Sequence, residues 1–485
     1  MTKEIRRLSL LLLAMFLALF GSLSVIQVAQ VDALAQSDFN RRTLLDSYEV
    51  QRGSILAGGT QIVSSVPSDD MYSWQRVYTD PGLWSAVTGY YNPALGSSTG
   101  IEKAMNSELS GAGGSQFLSS VERIVSGQPR RGANVVLTLD PAVQKAAYDA
   151  LQGYQGAVVA IQPKTGRILA MVSTPGYDPN TIAVHDSEKA NAAYAQLDND
   201  PSNPLYNRAI AGGLNPPGST FKIVTAAAAL ATGNYTMQST LPNPASYTLP
   251  GTTTAVHNAW GGTCGTGDQV TIADAVRLSC NIPMAELAAA IGNGPIKDMA
   301  DKLGFNKSFA TPLESTPSSY PSGLDTAQTA LTGFGQGQVT ATPLQMAMVA
   351  GAVGNGGNVM SPRLVDSVLG DDLSVQKSFD NTSVGQAMSA ENATAITQAL
   401  VASVQSGAAQ GARIDGVDVA GKTGTAENGT SKPYTLWFTG FAPAVNPEIA
   451  VAVVVEDGGG QGQSGSGDSI ASPIAKKVME AVLSR

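Results

Sequence analysis

Histidine is almost missing from this chain: His185 and His257 are the only two in 485 residues. Neither stands in a Ser-His-Asp arrangement or in a metal-ligand spacing, so chemistry built on histidine is not expected. Cysteine is as scarce, with Cys264 and Cys280 alone. An even count allows one bridge wherever disulfides persist, outside the cytoplasm, and two buried free thiols are the other reading. Long basic runs are absent too. A formal charge of −9 opposes sequence-independent binding to nucleic acid, which needs a cationic surface to displace counterions.

What the chain has is length. A run of 485 residues exceeds what one hydrophobic core usually serves, which predicts two soluble domains and a targeting segment. Lys3, Arg6 and Arg7 precede an apolar stretch over residues 8–28, long enough to cross a hydrocarbon layer of about 30 Å with the basic flank left in the cytoplasm. A cleaved secretory signal is the alternative, with Ala33-Leu34-Ala35 as its processing site. Either reading exports the rest of the chain.

Residues 36–140 mix short apolar stretches with Gly, Ser and Pro breaks and hold no nucleophile in a basic context, which reads as a non-catalytic module. A strand over 134–139 and a helix from Asp140-Pro141 to Leu151 mark its boundary. Residues 141–485 form the second domain. Apolar runs at 157–161 and 168–173 flank a turn-rich Pro163-Lys164-Thr165-Gly166-Arg167 and predict an antiparallel hairpin. Runs at 436–441 and 449–456 look alike, then come a glycine-rich stretch at 458–467 and an amphipathic helix over 469–483. Strands at both ends of a helical middle predict an α+β domain whose sheet is completed by distant segments.

Three short patterns succeed one another: Ser219-Thr220-Phe221-Lys222, Ser279-Cys280-Asn281 and Lys422-Thr423-Gly424. A serine hydroxyl is a poor nucleophile at neutral pH, and a lysine three residues later on a helix can act as its base. Ser219 precedes the apolar, alanine-rich residues 223–230, a buried helix whose N-terminus favours developing negative charge. An ordinary N-cap serine is the bland reading. The same search returns Ser374-Val375-Gln376-Lys377 in a polar stretch and Lys164-Thr165-Gly166 at the first hairpin turn, both read as surface segments.

In order and spacing these motifs resemble the penicillin-recognising acyl-serine enzymes, whose signature is S-x-x-K, S-x-N and K-T-G. The resemblance extends to residues 156–180, 207–230, Gly335-Gln336-Gly337 and Thr342-Pro343-Leu344-Gln345. Upstream, Arg52-Gly53-Ser54-Ile55 and Gly100-Ile101-Glu102 resemble landmarks of the non-catalytic module of class B penicillin-binding proteins. No internal repeat and no glycosyltransferase-sized module precede the second domain, which fits class B and assigns glycan elongation to a partner polymerase. The resemblance implies a five-stranded antiparallel sheet between helices, an inserted all-helical lobe and a smaller N-terminal domain. It also implies a membrane-held D,D-transpeptidase that cross-links peptidoglycan stem peptides in division or cell shape and is acylated by β-lactams.

In this scheme Ser219 attacks a D-Ala-D-Ala donor, and Lys222, its pKa depressed by burial and by Lys422, takes the hydroxyl proton. Ser279 relays a proton to the leaving amine, and Asn281 holds a peptide amide and Lys222. Lys422, Thr423, Gly424 and Thr425 form an edge strand whose cation and hydroxyls meet a substrate carboxylate, while the Ser219 and Thr425 amides form an oxyanion hole. A Cys264–Cys280 bridge would tether the S-x-N loop. No metal or organic cofactor is needed. A hydrolase, whether carboxypeptidase or β-lactamase, and a non-catalytic scaffold or β-lactam sensor are the rivals. Against the class A β-lactamase form, none of Glu286, Glu314 and Glu391 has an asparagine four residues on.

Overall fold

The computed structural model describes residues 2–30, 50–112, 131–211 and 214–484. The Ala33-Leu34-Ala35 site lies outside them. The chain opens with a helix over Thr2–Ser24, extended by a wider turn over Val25–Ala29. Among the described residues this one helix is long and apolar enough to cross a membrane: an 18-residue stretch within residues 3–28 has a mean hydropathy of 2.4 and none of it is buried.

A six-stranded sheet comes next, in the order Val375–Ser378, Val365–Leu369, Asn134–Leu137, Ile55–Ala57, Thr60–Pro67 and Trp74–Tyr78. Two of its strands thus come from far along the chain, and Val375–Ser378 is the exposed edge that carries most of the second S-x-x-K. The two landmarks of the module meet here. Arg52 Nη2 lies 2.9 Å from Glu102 Oε2, Arg76 pairs with the other oxygen, and all three side chains are buried. Burial pushes the Glu102 carboxyl up, yet Arg76 and Arg52 hold it below the usual carboxylate range, so the cluster stays ionised.

The second sheet has five antiparallel strands in the order Ala420–Ala426, Thr435–Ala442, Ile449–Val455, Gly156–Ile161 and Ile168–Thr174. The hairpin and the late strand pair expected from sequence are all present, joined because Ile449–Val455 pairs with Gly156–Ile161. These two strands are buried at every position. Alternate side chains explain why: Ala157, Val159 and Ala452 enter one core with the helix Pro343–Gly354, while Val158, Ala160 and Val451 enter another with Pro141–Leu151 and Ser472–Leu483. Helices on both faces therefore demand unbroken apolar strands.

Asp140 caps the helix Pro141–Leu151 by accepting from the amides of Ala142 and Val143. The helix Lys222–Ala231 is buried from Lys222 through Leu230, and its four successive alanines let neighbouring helices approach closely. Around it pack Ile272–Arg277, Ile282–Ile291 and Asn293–Lys302, the helical lobe, while Ala390–Ser406 joins the helix to the sheet by packing on both. The site opens between this lobe and the edge strand Ala420–Ala426.

Candidate active site

Ser219 lies in the 3-10 turn Gly218–Phe221, one turn before the α-helix begins at Lys222. Phe221 anchors that turn, stacking on Tyr320 and meeting Phe305 edge-on. Gly218 has φ +53°, and its amide donates to Gly335 O at 3.0 Å. Gly335, at φ +76°, comes so near that an added Cβ would stand 1.9 Å from Gly218 O. Only glycine meets both demands, which gives the Gly335-Gln336-Gly337 stretch its purpose as the floor of the nucleophile turn.

The three motifs converge on Ser279. Lys222 Nζ donates to Ser279 O at 2.6 Å and to Asn281 Oδ1 at 2.9 Å, with Ser279 Oγ at 3.5 Å. Lys422 Nζ donates to the same hydroxyl at 2.6 Å and to Thr423 O at 2.9 Å. Ser279 adopts φ +65°, a left-handed conformation that costs a residue with a Cβ about 1–3 kcal/mol and turns the hydroxyl between the two ammonium groups. Among the described residues no hydrogen bond engages the Ser219 hydroxyl, which is half-buried.

Both lysines are fully buried. Burial, and then the charge of Lys422, holds the Lys222 ammonium well below the ordinary lysine range. Burial also lowers Lys422, to about 7, against the opposing pull of Asp468. The two differ in their neighbours: Lys222 faces a second cation, while Lys422 has the Asp468 carboxylate to lean on. A neutral Lys222 retains two N–H bonds, matching its two short contacts, and one free lone pair.

Lys422, Thr423, Gly424 and Thr425 lie on the edge strand, as expected. Their hydroxyls divide. Thr423, expected to serve substrate, is buried and donates to Ala408 O at 2.9 Å, which fastens the strand to the neighbouring segment. Thr425 is exposed, and its Oγ1 accepts from Gly467 N at 3.2 Å.

Cys264 and Cys280 are bonded, with Cα atoms 5.7 Å apart and both side chains buried. Asn258, which sequence reasoning passed over, works beside the bridge: its Oδ1 accepts from the amides of Asn281 at 2.7 Å and Ile282 at 3.2 Å. No periodicity or motif singles it out; only the folded loop puts it there. Replacing both cysteines with alanine should lower stability by about 2–4 kcal/mol, the usual yield of a bridge closing a loop of this length. Guanidinium unfolding curves of oxidised wild type and the double variant give this difference directly.

The chain matches the penicillin binding protein transpeptidase domain over residues 156–480 and the penicillin binding protein A dimerisation domain over residues 52–135. It is 39% identical to the peptidoglycan D,D-transpeptidase PbpA of Mycolicibacterium smegmatis and 38% identical to that of Mycobacterium tuberculosis, covering 100% of this chain and 99% of each relative. Among solved structures, the ceftriaxone acyl-enzyme complex of penicillin-binding protein A from M. tuberculosis matches with a TM-score of 0.87 at 38% identity, covering 90% of this chain and all of that one. Its penicillin G acyl-enzyme complex matches with a TM-score of 0.84 at the same identity, over 89% of this chain and 99% of that one. With the serine, the two lysines and the S-x-N loop gathered at one cleft, this chain belongs to the penicillin-binding protein family and is a class B peptidoglycan D,D-transpeptidase.

Proposed function

We propose that Ser219 is the acylated nucleophile, Lys222 its base, Ser279 the proton relay and Lys422 the cation that receives the carboxylate of a D-Ala-D-Ala donor. The observation that supports this reading most is the convergence of Lys222 and Lys422 on one hydroxyl, Ser279 Oγ, beside the nucleophile turn. In the first half-reaction Ser219 Oγ bonds to the penultimate D-Ala carbonyl carbon as its proton passes to the Lys222 lone pair. The tetrahedral oxyanion lies against the Ser219 and Thr425 amides. Collapse breaks the peptide bond, and the departing nitrogen takes a proton from Ser279, which Lys422 replenishes. Asn281 steadies Lys222 and a donor amide, and Gly424 keeps the strand clear for the peptide. In the second half-reaction an acceptor stem-peptide amine attacks the ester and passes its proton through Ser279 to Lys422, while the departing Ser219 oxygen takes back the proton held by Lys222. A β-lactam enters as the donor does, but its opened ring stays on the serine.

The apolar helix at residues 3–28 anchors the chain in the membrane, with residues 36–140 a non-catalytic module and residues 141–485 the transpeptidase domain, both outside the cytoplasm. A glycan polymerase and other division or elongation proteins are its partners.

Intact-mass measurement after benzylpenicillin, with peptide mapping, tests the reading. One penicilloyl group on Ser219, persisting for many minutes, is the expected result. Loss within seconds would mean that water resolves the ester as in a β-lactamase, and an adduct on another residue would end the assignment.

The pH dependence carries a sign. Lys422 is charged below about 7 and neutral above, so the second-order acylation rate should fall as pH rises through about 7 and approach about tenfold per unit beyond it. Lys222 must be neutral to act as the base, so its depressed pKa sets the acid limb. Stopped-flow acylation with a fluorescent penicillin between pH 5 and 9 reads both limbs; a rate that climbs through pH 9 would contradict the role of Lys422.

A further inference from the structure

A chain of polar side chains outside the three motifs runs beneath the nucleophile turn. Asn215 stands four residues before Ser219. Its Nδ2 donates to Glu456 Oε1 at 3.2 Å, and its Oδ1 accepts from the Thr435 hydroxyl at 3.3 Å. Asn428 Nδ2 donates to Thr435 Oγ1 at 2.9 Å, so the hydroxyl proton is free to point at Asn215. At the other end Glu456 Oε2 accepts from Arg208 Nε at 3.0 Å and from Gln155 Nε2 at 2.8 Å. Arg208 is buried, and its remaining nitrogens donate to the carbonyls of Ser202 and Asn203. Each donor meets an acceptor, so the direction of every bond is determined.

The ends of this chain matter. Glu456 directly succeeds Val455, the last residue of a fully buried central strand. Thr435 pairs across the sheet with Ala426, the neighbour of Thr425. The nucleophile turn also rests on that strand: a Cβ added at Gly424 would stand 2.9 Å from Pro217 O. One carboxylate, held on a rigid strand end, thereby grips the approach to Ser219 directly and, through Asn215 and Thr435, the strand that pairs with the one carrying Thr425.

We infer that Glu456, Asn215 and Thr435 are positioning residues that set the spacing between the Ser219 and Thr425 amides. They touch neither substrate nor reacting atoms. The inference rests on the assignment of those two amides as the oxyanion hole. Losing one such donor outright slows serine acyl transfer by about 100- to 1,000-fold, so a loosened pair should cost about tenfold.

Thr435→Val keeps the shape of the side chain and removes its hydroxyl, whereas Thr435→Ser keeps the hydroxyl and removes the methyl. Each is compared with wild type and Glu456→Gln in stopped-flow acylation by a fluorescent penicillin, which separates the acylation step from initial binding. Affinity for phenylboronic acid is measured beside it, since its tetrahedral adduct places an oxygen in the oxyanion hole. Thr435→Val and Glu456→Gln should each slow the acylation step about tenfold, leave initial binding unchanged and weaken the boronate by a similar factor. Thr435→Ser should recover most of the rate. Wild-type acylation in Thr435→Val, or a loss in Thr435→Ser as large as in Thr435→Val, would reduce the chain of bonds to packing and overturn the inference. A wild-type protein that takes up no penicillin would overturn the site assignment beneath it, before any variant is compared.

Discussion

Ser219→Ala should show no mass gain with benzylpenicillin and lose transpeptidation by on the order of a million-fold, the scale on which serine acyl-transfer enzymes depend on their nucleophile. The fold should not register the change. Ser219 is half-buried, and its hydroxyl engages no partner among the described residues, so stability should move by no more than about 0.5 kcal/mol. Non-covalent binding should survive, since Lys422 and the strand remain. Intact-mass spectrometry, a competition assay with a reversible ligand and a melting curve separate these claims. The scaffold alternative is met by the same variant: if Ser219→Ala fully replaced wild type in cells lacking the gene, the chemistry would be dispensable.

Lys222→Met should slow acylation by about 1,000- to 10,000-fold, the upper range for removal of a general base. Stability sets two effects against each other. The Ser279 carbonyl and Asn281 Oδ1 lose their donor, at about 1–3 kcal/mol for each acceptor left buried and unpaired, while a fully buried amine no longer has to be desolvated. The melting temperature should therefore move far less than the rate. Lys222→Arg isolates the role: a guanidinium keeps the charge and the donors but does not surrender a proton near neutrality. If the lysine were only a fixed cation, the arginine variant would keep measurable acylation; as the base it should be as slow as methionine. Single-turnover acylation at several pH values distinguishes the two.

Much of this site could be read before the fold was known, for reasons that particular residues show. Ser219 and Lys222 are three residues apart on a helical turn, so their proximity is a local property. The runs at 157–161 and 449–456 announced the strands Gly156–Ile161 and Ile449–Val455 because helices cover both faces of their sheet, leaving no solvent side for polar residues. Other features had no local signature. Val365–Leu369 pairs with Asn134–Leu137 across more than two hundred residues and carries Val375–Ser378 on its other side, and nothing in its own composition names the distant partner. Thr423 looked like a substrate ligand from its motif, yet the folded neighbour Ala408 takes its hydroxyl.

The amino-acid sequence alone pointed to the kind of chemistry, a serine with an amine three residues on, and to an apolar N-terminal run, because each of these is written within a few residues or a single continuous stretch. The tertiary structure alone decided which hydroxyl the two lysines share, the left-handed turn of Ser279, the depression of both ammonium groups and the bonds that join Asn215 to Glu456 and Thr435. Those depend on burial and on contacts between segments hundreds of residues apart, and a charge acquires its strength from the medium and the neighbours that folding supplies.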